Sequence, residues 1–451
     1  MTAIDVTSER PPAPPLSLVR ARRWATDNLF GSLGNSALTL ISVAILAYVA
    51  YQVLRFVFIT ADWEVVLDNR RLYFAGRFPD EEMWRIWMSL WYLSALTGAS
   101  FRLWGRLTPL IAAASAAVAV LLFAFATDYA QPRLLLALGL LASGYLAAAV
   151  LSRWRRQLAG LVIVGWLLAF PITIVFIAGG AAVPLLAAAG AFVLGSYLVW
   201  RLTSGEPLPR RELAWLGALE LVLMALIFIE PNVEGVDSRL WSGLVLNILI
   251  AIVASVLSFP LGVVLALGRT SGLPVVRVVC TVYIELIRGV PLITILFISW
   301  LVLPDFLPES LRDTDLVVRI MAAFTAFSAA YIAEIVRGGL QSIPRGQREA
   351  AQALGLGGVA VLVFVILPQA IRAVIPALTG HFISLFKDTS LVIVVGLTDI
   401  LDVGRSVTAQ REFIGRQKES LLFVALVFWL ITFSISRVGQ RLERRLGVGE
   451  R

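Results

Sequence analysis

Reactive side chains are scarce in this sequence. Cys280 is the only cysteine and His381 the only histidine among 451 residues. One thiol excludes an intramolecular disulfide and a cysteine-based metal cluster; Cys280 reads as a buried structural thiol. One imidazole gives a histidine-pair metal site or a Ser-His-Asp triad nothing to back it up. His381 therefore reads as a hydrogen-bonded core residue, and no metal site is expected. The lysines are Lys387, in Phe-Lys-Asp, and Lys418, in Gln-Lys-Glu. A phosphate-binding loop needs Gly-Lys-Ser/Thr, because backbone amides cradle the phosphates while the lysine reaches the outer ones. If ATP drives this protein, another chain binds it.

Charge is also sparse, at 15% of residues, while 59% are hydrophobic. A soluble domain has about 25% charged and about 45–50% apolar residues. At roughly 20 apolar residues per crossing, the chain has room for about a dozen membrane helices. The net charge of +8 then reports orientation rather than nucleic-acid binding, because short arginine-rich loops stay cytoplasmic.

Apolar runs predict helices at 36–59, 107–126, 134–151, 158–178, 181–200, 213–230, 243–267, 277–303, 317–336 and 419–437. Arg102 and Arg106, Arg153 to Arg156, Arg201 to Arg211, Arg269 and Arg277, and Arg337 to Arg348 mark inner loops. These sides agree with a basic N-terminus inside only if 84–101 also crosses. That leaves the acidic stretch 60–83 outside. Residues 359–368 are too short to cross and are expected to lie along the inner surface, with 370–398 crossing once. Pro260, Pro368 and Pro376 would kink or end helices. Glu220 stands alone within 213–230 and reads as pairing with another helix. The fold class is all-α, with both termini cytoplasmic. Residues 1–35 form a tail that is disordered at first and then basic and interfacial; no cleaved signal peptide is read there. Residues 36–230 form a transmembrane extension of about seven helices, with 60–83 as its outer loop. Residues 240–440 form a five-span core with an inner loop at 337–368, and 441–451 a short tail. The division falls near residue 231.

In the inner loop, Gly338 and Gly339 are expected to end one helix. Pro344 can start another. Glu349 to Leu354 favours helix, and Gly355 stops it. The pattern reads either as an ordinary loop helix or as a knob for a soluble partner. Here Glu349-Ala350-Ala351, Gly355 and then Leu367-Pro368 resemble the EAA loop of ABC-type importer permeases, with Val365 where that pattern has isoleucine. AEIVRGGLQSIPRGQREAAQALGL (333–356), LPQAIRAVIPAL (367–378), LFKDTSLV (385–392) and IELIRGVPLITILF (284–297) are similar to the polar amino-acid branch. GRFPDEEMWRI (76–86) resembles the longer permease subunit of general L-amino-acid importers.

The resemblance implies a permease core of the type I importer kind in the cell inner membrane. It implies a short helix at about 349–356 seated in a cleft on one of a pair of cytoplasmic ATPase subunits, which hold ATP and Mg. The chain itself would bind no cofactor and would be no enzyme. Glu349 would make polar contacts there, Ala350 and Ala351 would allow close approach, and Gly355 would turn the chain. The other implied partners are a periplasmic amino-acid-binding protein, a second permease subunit and an amino-acid substrate.

Lys387, Asp388, Thr389 and Ser390 fall within a predicted span. Ionisable groups in a bilayer are costly, so they face a watery cavity or a partner. Adjacent residues on a regular helix point apart, so Lys387 and Asp388 are not a simple self-neutralising pair unless the helix breaks there. Asp, Thr and Ser compete for backbone bonds, and a broken helix at mid-depth is a setting for transporter sites. The stretch either lines a substrate path or makes a packing ion pair. Glu285 and Arg288 lie three apart, close enough to pair, before Gly289 and Pro291 disrupt the helix; a structural bridge and a gate both fit. Glu334 and Arg337 repeat the spacing and read as structural. A stand-alone secondary transporter is the alternative, but it predicts two similar halves and leaves the EAA-like loop without a role. A membrane enzyme lacks clustered catalytic groups.

Overall fold

The computed structural model describes residues 18–104, 126–154, 158, 162, 165, 169, 173, 177, 236–312 and 314–447. The predicted helices at 107–126, 181–200 and 213–230, Glu220, most of 158–178 and the division near residue 231 lie outside the described residues. Everything described is helix, turn or irregular chain, with no strand. By compactness the chain divides into Met1–Trp63 and Glu64–Arg451.

In the first unit, α1 spans Leu18–Leu29 and α2 spans Leu33–Arg55. The basic segment expected to be interfacial is helical from Leu18. Ser32 caps α2 by accepting a hydrogen bond from the Asn35 amide at 3.1 Å. A wider π turn, Phe56–Thr60, lengthens the helix to 28 residues, enough to cross a bilayer.

The second unit opens with two short helices, α3 (Glu64–Asp68) and α4 (Arg70–Ala75), in the stretch expected to be a plain outer loop. They bury Val65, Val66, Tyr73, Ala75 and, just beyond, Phe78. Next come α5 (Met83–Trp104) and α6 (Gln131–Val150), which pack as a pair. Small residues let the backbones meet. A Cβ on Gly98 would lie 1.9 Å from the Leu141 carbonyl oxygen, and one on Gly144 2.3 Å from that of Ala95. The Trp91 indole donates to the Arg133 carbonyl at 3.0 Å. Helix α5 forms where 84–101 was expected, but it is not among the helices apolar enough to count as crossings by composition.

The core consists of α7 (Gly243–Arg269), α8 (Pro274–Gly289), α9 (Leu292–Phe297, prolonged to Phe306), α10 (Leu316–Ser342), α11 (Arg345–Ala353), α12 (Leu367–Asp388), α13 (Ile400–Ser406) and α14 (Gln417–Arg445). Helices α7 and α10 pack along their length, with Gly262 against Ile332 and the Ala329 carbonyl. Gly339 lets α10 approach Ala370 and Val374, and Gly439 lets α14 approach Thr379. Cys280 is half-buried, and its sulfur leaves no room for a Cβ on Gly268, 2.4 Å away. Ser328 Oγ lies 2.7 Å from His381 Nε2, and Tyr331 stacks on the imidazole, so His381 is a satisfied core residue.

Several predicted boundaries move. The run 277–303 is not one straight span: it bends by 105° between α8 and α9. Val290 is extended, as a residue before proline must be, and Pro291 starts the new helix. The separate surface element at 359–368 does not exist. Gly358 to Val395 is one helical run of 38 residues. Pro368 has no N–H to give to the preceding turn, and the run passes through a π stretch, Val361–Ile366, just before it. Gly338 and Gly339 do not stop α10, which continues to Ser342; Gly339 is there for close packing. Pro260 and Pro376 sit inside helices without ending them.

Six described helices are long and apolar enough to cross a membrane, or seven if the bent pair counts as one span. The chain from 243 to 445 runs between two ends. One holds the starts of α7, α10 and α14 together with α3, α4 and α13. The other holds Arg269, Glu334 and α11.

Replacing Gly144 by Ala should force α5 and α6 apart and lower stability by about 1–3 kcal/mol, the usual cost of overpacking. Gly139 lies on the same helix with nothing within 4 Å of a Cβ, and Gly139→Ala should not lower it. Thermal midpoints of the detergent-solubilised protein distinguish the two; equal losses contradict the close-packing account.

Candidate functional site

At one end of the core, Pro344 precedes α11, one turn earlier than the helix expected at 349–356. Its cyclic φ of −58° already suits a helix start. Gly355 stops the element at φ +82°, a conformation only glycine adopts without strain. Ala351 is 4% exposed and packs with Val361 and Ile366, under Leu340, Ile343 and Leu356. Ala351 is therefore the base of the loop, not part of its outer surface. Glu349, Ala350 and Gly355 are exposed. Leu354 is 83% exposed and Val359 67%; sequence reasoning missed both, although a leucine at the end of an otherwise polar helix was the available signal. Leu367 and Pro368 lie at the start of α12, Leu367 half-buried and Pro368 exposed.

Beside this loop, three helices meet in one charge cluster. Arg269 of α7 gives Nη2 to Glu285 Oε1 at 2.7 Å and Nη1 to Glu334 Oε2 at 3.0 Å. Arg337 pairs with the other oxygen of Glu334, as the i, i+3 spacing predicts. Arg288 reaches Glu334 at 3.7 Å and lies over the Tyr331 ring. The expected Glu285–Arg288 pair does not form. Their spacing permits contact, but Arg269 arrives across the α7–α8 turn and takes Glu285 instead. Gly289 and Pro291 lie at the 105° bend next to the cluster. A glutamate holding three guanidinium groups ties α7, α8 and α10 at one level.

Near the opposite end, α12 tightens into a 3₁₀ stretch, Thr389–Val395. Lys387 is exposed, Asp388 and Ser390 are half-buried, and Thr389 is fully buried. Because the run starts at Gly358, these residues lie nearer its far end than its middle. The helix does not break there; it narrows. Neither Lys387 nor Asp388 has an ion-pair partner among the described residues. Thr389 Oγ1 accepts from Asn247 Nδ2 at 2.9 Å and donates to the Phe386 carbonyl at 2.7 Å. The same Asn247 amide reaches Asp399 Oδ2 at 3.2 Å, and its Oδ1 accepts from the Ile400 amide at 3.1 Å. Asp399 caps α13 by accepting from the Asp402 amide at 2.9 Å. Sequence reasoning passed over Asn247 and Asp399. An asparagine in the first turn of a long apolar helix was the visible hint.

The profile described as binding-protein-dependent transport system inner membrane component matches residues 258–448. The glutamate/aspartate import permease protein GltK of Escherichia coli is 38% identical over 210 residues, covering 46% of this chain and 92% of that protein. The chain belongs to this family of inner-membrane transport components. The inner membrane amino-acid ABC transporter permease protein YhdY of Escherichia coli is 45% identical over 216 residues, covering 48% of this chain and 59% of that protein. The glutamate/glutamine/aspartate/asparagine transport system permease protein BztC of Rhodobacter capsulatus is 44% identical over 246 residues, covering 54% of this chain and 56% of that protein. The matches thus span a little over half the length of these two relatives. As a family member with several crossing helices, the chain is a multi-pass inner-membrane protein, and the charge cluster and α11 fall within the matched residues.

Two expected outcomes follow from these geometries. Glu334 is 20% and Glu285 57% exposed. Glu334→Gln removes the charge shared by Arg269, Arg288 and Arg337 and should cost about 1–3 kcal/mol. Glu285→Gln should cost under about 1 kcal/mol, because water screens the exposed pair. Thermal midpoints in detergent test the ranking, and the reverse order contradicts it. The second concerns Asp399. Burial pushes its carboxyl above the ordinary value, partly opposed by hydrogen bonds from the Asp402 and Leu401 amides and the Asn247 side chain. The folded chain therefore holds this proton more tightly than the unfolded chain. That contribution is complete below the ordinary Asp range and is lost as pH rises through the raised folded value. The midpoint should fall with rising pH across that window, and Asp399→Asn should flatten the fall.

Proposed function

We propose that this chain is the membrane-spanning permease subunit of an ATP-driven, binding-protein-dependent amino-acid importer. The observation that carries the reading is α11, a short polar helix on a packed base, with Glu349, Ala350 and Leu354 exposed. A rigid knob at the end of a membrane bundle suits a cleft on a soluble ATPase. Its base joins directly to α10 and α12, so a push on the knob moves both helices. In this reading ATP and Mg sit on a pair of ATPase subunits, and the chain carries no cofactor and performs no hydrolysis. A periplasmic binding protein delivers substrate from the other side, and a second permease subunit completes the path. Lipid covers the apolar outer faces. The names of GltK and BztC point to acidic amino acids and their amides as the substrate class.

The chain would cross about twelve times, in a type I importer arrangement with both termini inside. Arg269 and Arg337, next to α11, would then be cytoplasmic, and α3 and α4 extracytoplasmic. Lys387 to Ser390 are assigned to the substrate path. Unpaired charges at Lys387 and Asp388 suit a zwitterionic ligand better than a packing bridge within the chain. Glu285, Arg288, Gly289, Pro291, Glu334 and Arg337 would close the inner end of that path. Family membership favours this reading over a stand-alone secondary transporter.

Co-purification with the ATPase is the direct test. Leu354→Asp should abolish association while membrane insertion and thermal midpoint stay at wild-type values. Retained association with that variant rejects α11 as the coupling element. In vesicles carrying the complete importer, Lys387→Met and Asp388→Asn should each cut L-glutamate uptake at least tenfold. Wild-type uptake in both removes these residues from the path.

A further inference from the structure

The segment Glu64–Phe78 lies at the end of the core away from α11 and is fastened to it at several points. Its backbone is pressed against the start of α7. Gly76 has φ +54°, and a Cβ there would lie 2.0 Å from Ser242 Oγ. Gly243 has φ +65°, and a Cβ there would lie 2.8 Å from the Tyr73 carbonyl oxygen. The Arg77 amide donates to Ser242 Oγ at 2.5 Å. Gln410 Nε2 donates to Asn69 Oδ1 at 3.0 Å. Side chains do the rest. The fully buried Tyr73 hydroxyl donates to Ser420 Oγ of α14 at 2.7 Å, and Ser420 donates to the Gly404 carbonyl of α13 at 2.5 Å. The edge of the Tyr73 ring meets Phe423 at 5.0 Å.

Helix α13 is what joins this strap to the candidate path. Its cap is Asp399, which is hydrogen-bonded to Asn247, which is hydrogen-bonded to Thr389. The Gly243 amide donates to the Thr398 carbonyl at 2.9 Å, so the chain before α13 is also tied to α7. The links from Tyr73 to Thr389 are all hydrogen bonds or one short helix, and most members are buried. Thr389 follows Asp388 directly.

We propose that Tyr73 is a positioning residue for the transport path: through Ser420 and Gly404 it holds α13, and with it the Asp399–Asn247–Thr389 link that sets the placement of residues 387–390. This rests on reading those residues as part of the path. A buried polar link with every member satisfied specifies one arrangement. Removing its first hydroxyl leaves the Ser420–Gly404 bond in place but unties it from the strap, so Ser420 and α13 can shift together.

Two readouts on the full chain test the role, one of them independent of transport. In a Cys280→Ser background carrying Ser390→Cys, Tyr73→Phe should raise the rate of maleimide labelling at position 390 at least threefold. In the complete importer, Tyr73→Phe should raise the KM for L-glutamate several-fold and change the maximal rate by less than twofold. Ser420→Ala removes this hydrogen bond together with the one to the Gly404 carbonyl, so it should raise both readouts at least as much, and adding Tyr73→Phe to it should bring no further change. An unchanged labelling rate overturns the proposal. So does an unchanged KM, or a maximal rate that falls together with the thermal midpoint while KM stays constant, the mark of a merely structural contact. If wild-type importer takes up no L-glutamate, the substrate reading fails, whereas the labelling arm still decides whether Tyr73 positions residue 390.

Discussion

Hydrocarbon offers no hydrogen-bond partner, so every backbone amide that crosses a membrane must be satisfied within the protein, and a helix does this within one segment. That constraint explains the long uninterrupted runs of α7, α10, α14 and the 38-residue run ending at Val395. It also explains how exceptions are handled. Before Pro368 the helix widens, and beyond Asp388 it tightens, rather than breaking in either place. Among the described residues, the sharp break between Gly289 and Pro291 uses a proline whose missing N–H costs nothing at a helix start.

The same medium sorts the polar groups. Two polar groupings, one toward each end of the core, differ in kind. Near α11 the links are ionic: Glu334 holds Arg269, Arg288 and Arg337. A charge taken from water is tolerable only with opposite charges and hydrogen bonds around it, and Glu334 has three. At the other end Asp399 is held by amides and an asparagine, with no ion pair of its own among the described residues. Under the proposed function, the ionic end would carry the load of a docked ATPase and the other end would hold the residues beside the path. Between them the contacts are mostly apolar or glycine against backbone, with isolated hydrogen bonds such as Ser328 to His381.

Much of the site was legible because its signals are local. Pro344 and Gly355 bound α11 within a turn of where they stand in the sequence, and Glu334–Arg337 pair as helical spacing requires. Hydropathy pointed to a membrane protein. Other features were hidden because they join distant residues. Glu285 had a partner three residues away that suited it, yet Arg269 won through the geometry of a turn. Ala351 looked like Ala350 in sequence, but the helix phase put one inside and the other outside. The stretch 60–83 read as an acidic loop because its buried residues, Tyr73 and Phe78, are too few and too irregularly spaced to announce a packed element.

By itself the sequence determined the medium, the helical class, the family and the position of a short polar helix in the inner loop, because hydropathy and the 333–356 motif are properties of contiguous residues. Only the tertiary structure decided which charges meet, which alanine supports the loop, and that residues near 73 belong with residues near 243, 404 and 420. Those contacts are selected by the packing of whole helices, where a single rotation or bend changes every neighbour, and no local pattern records that choice.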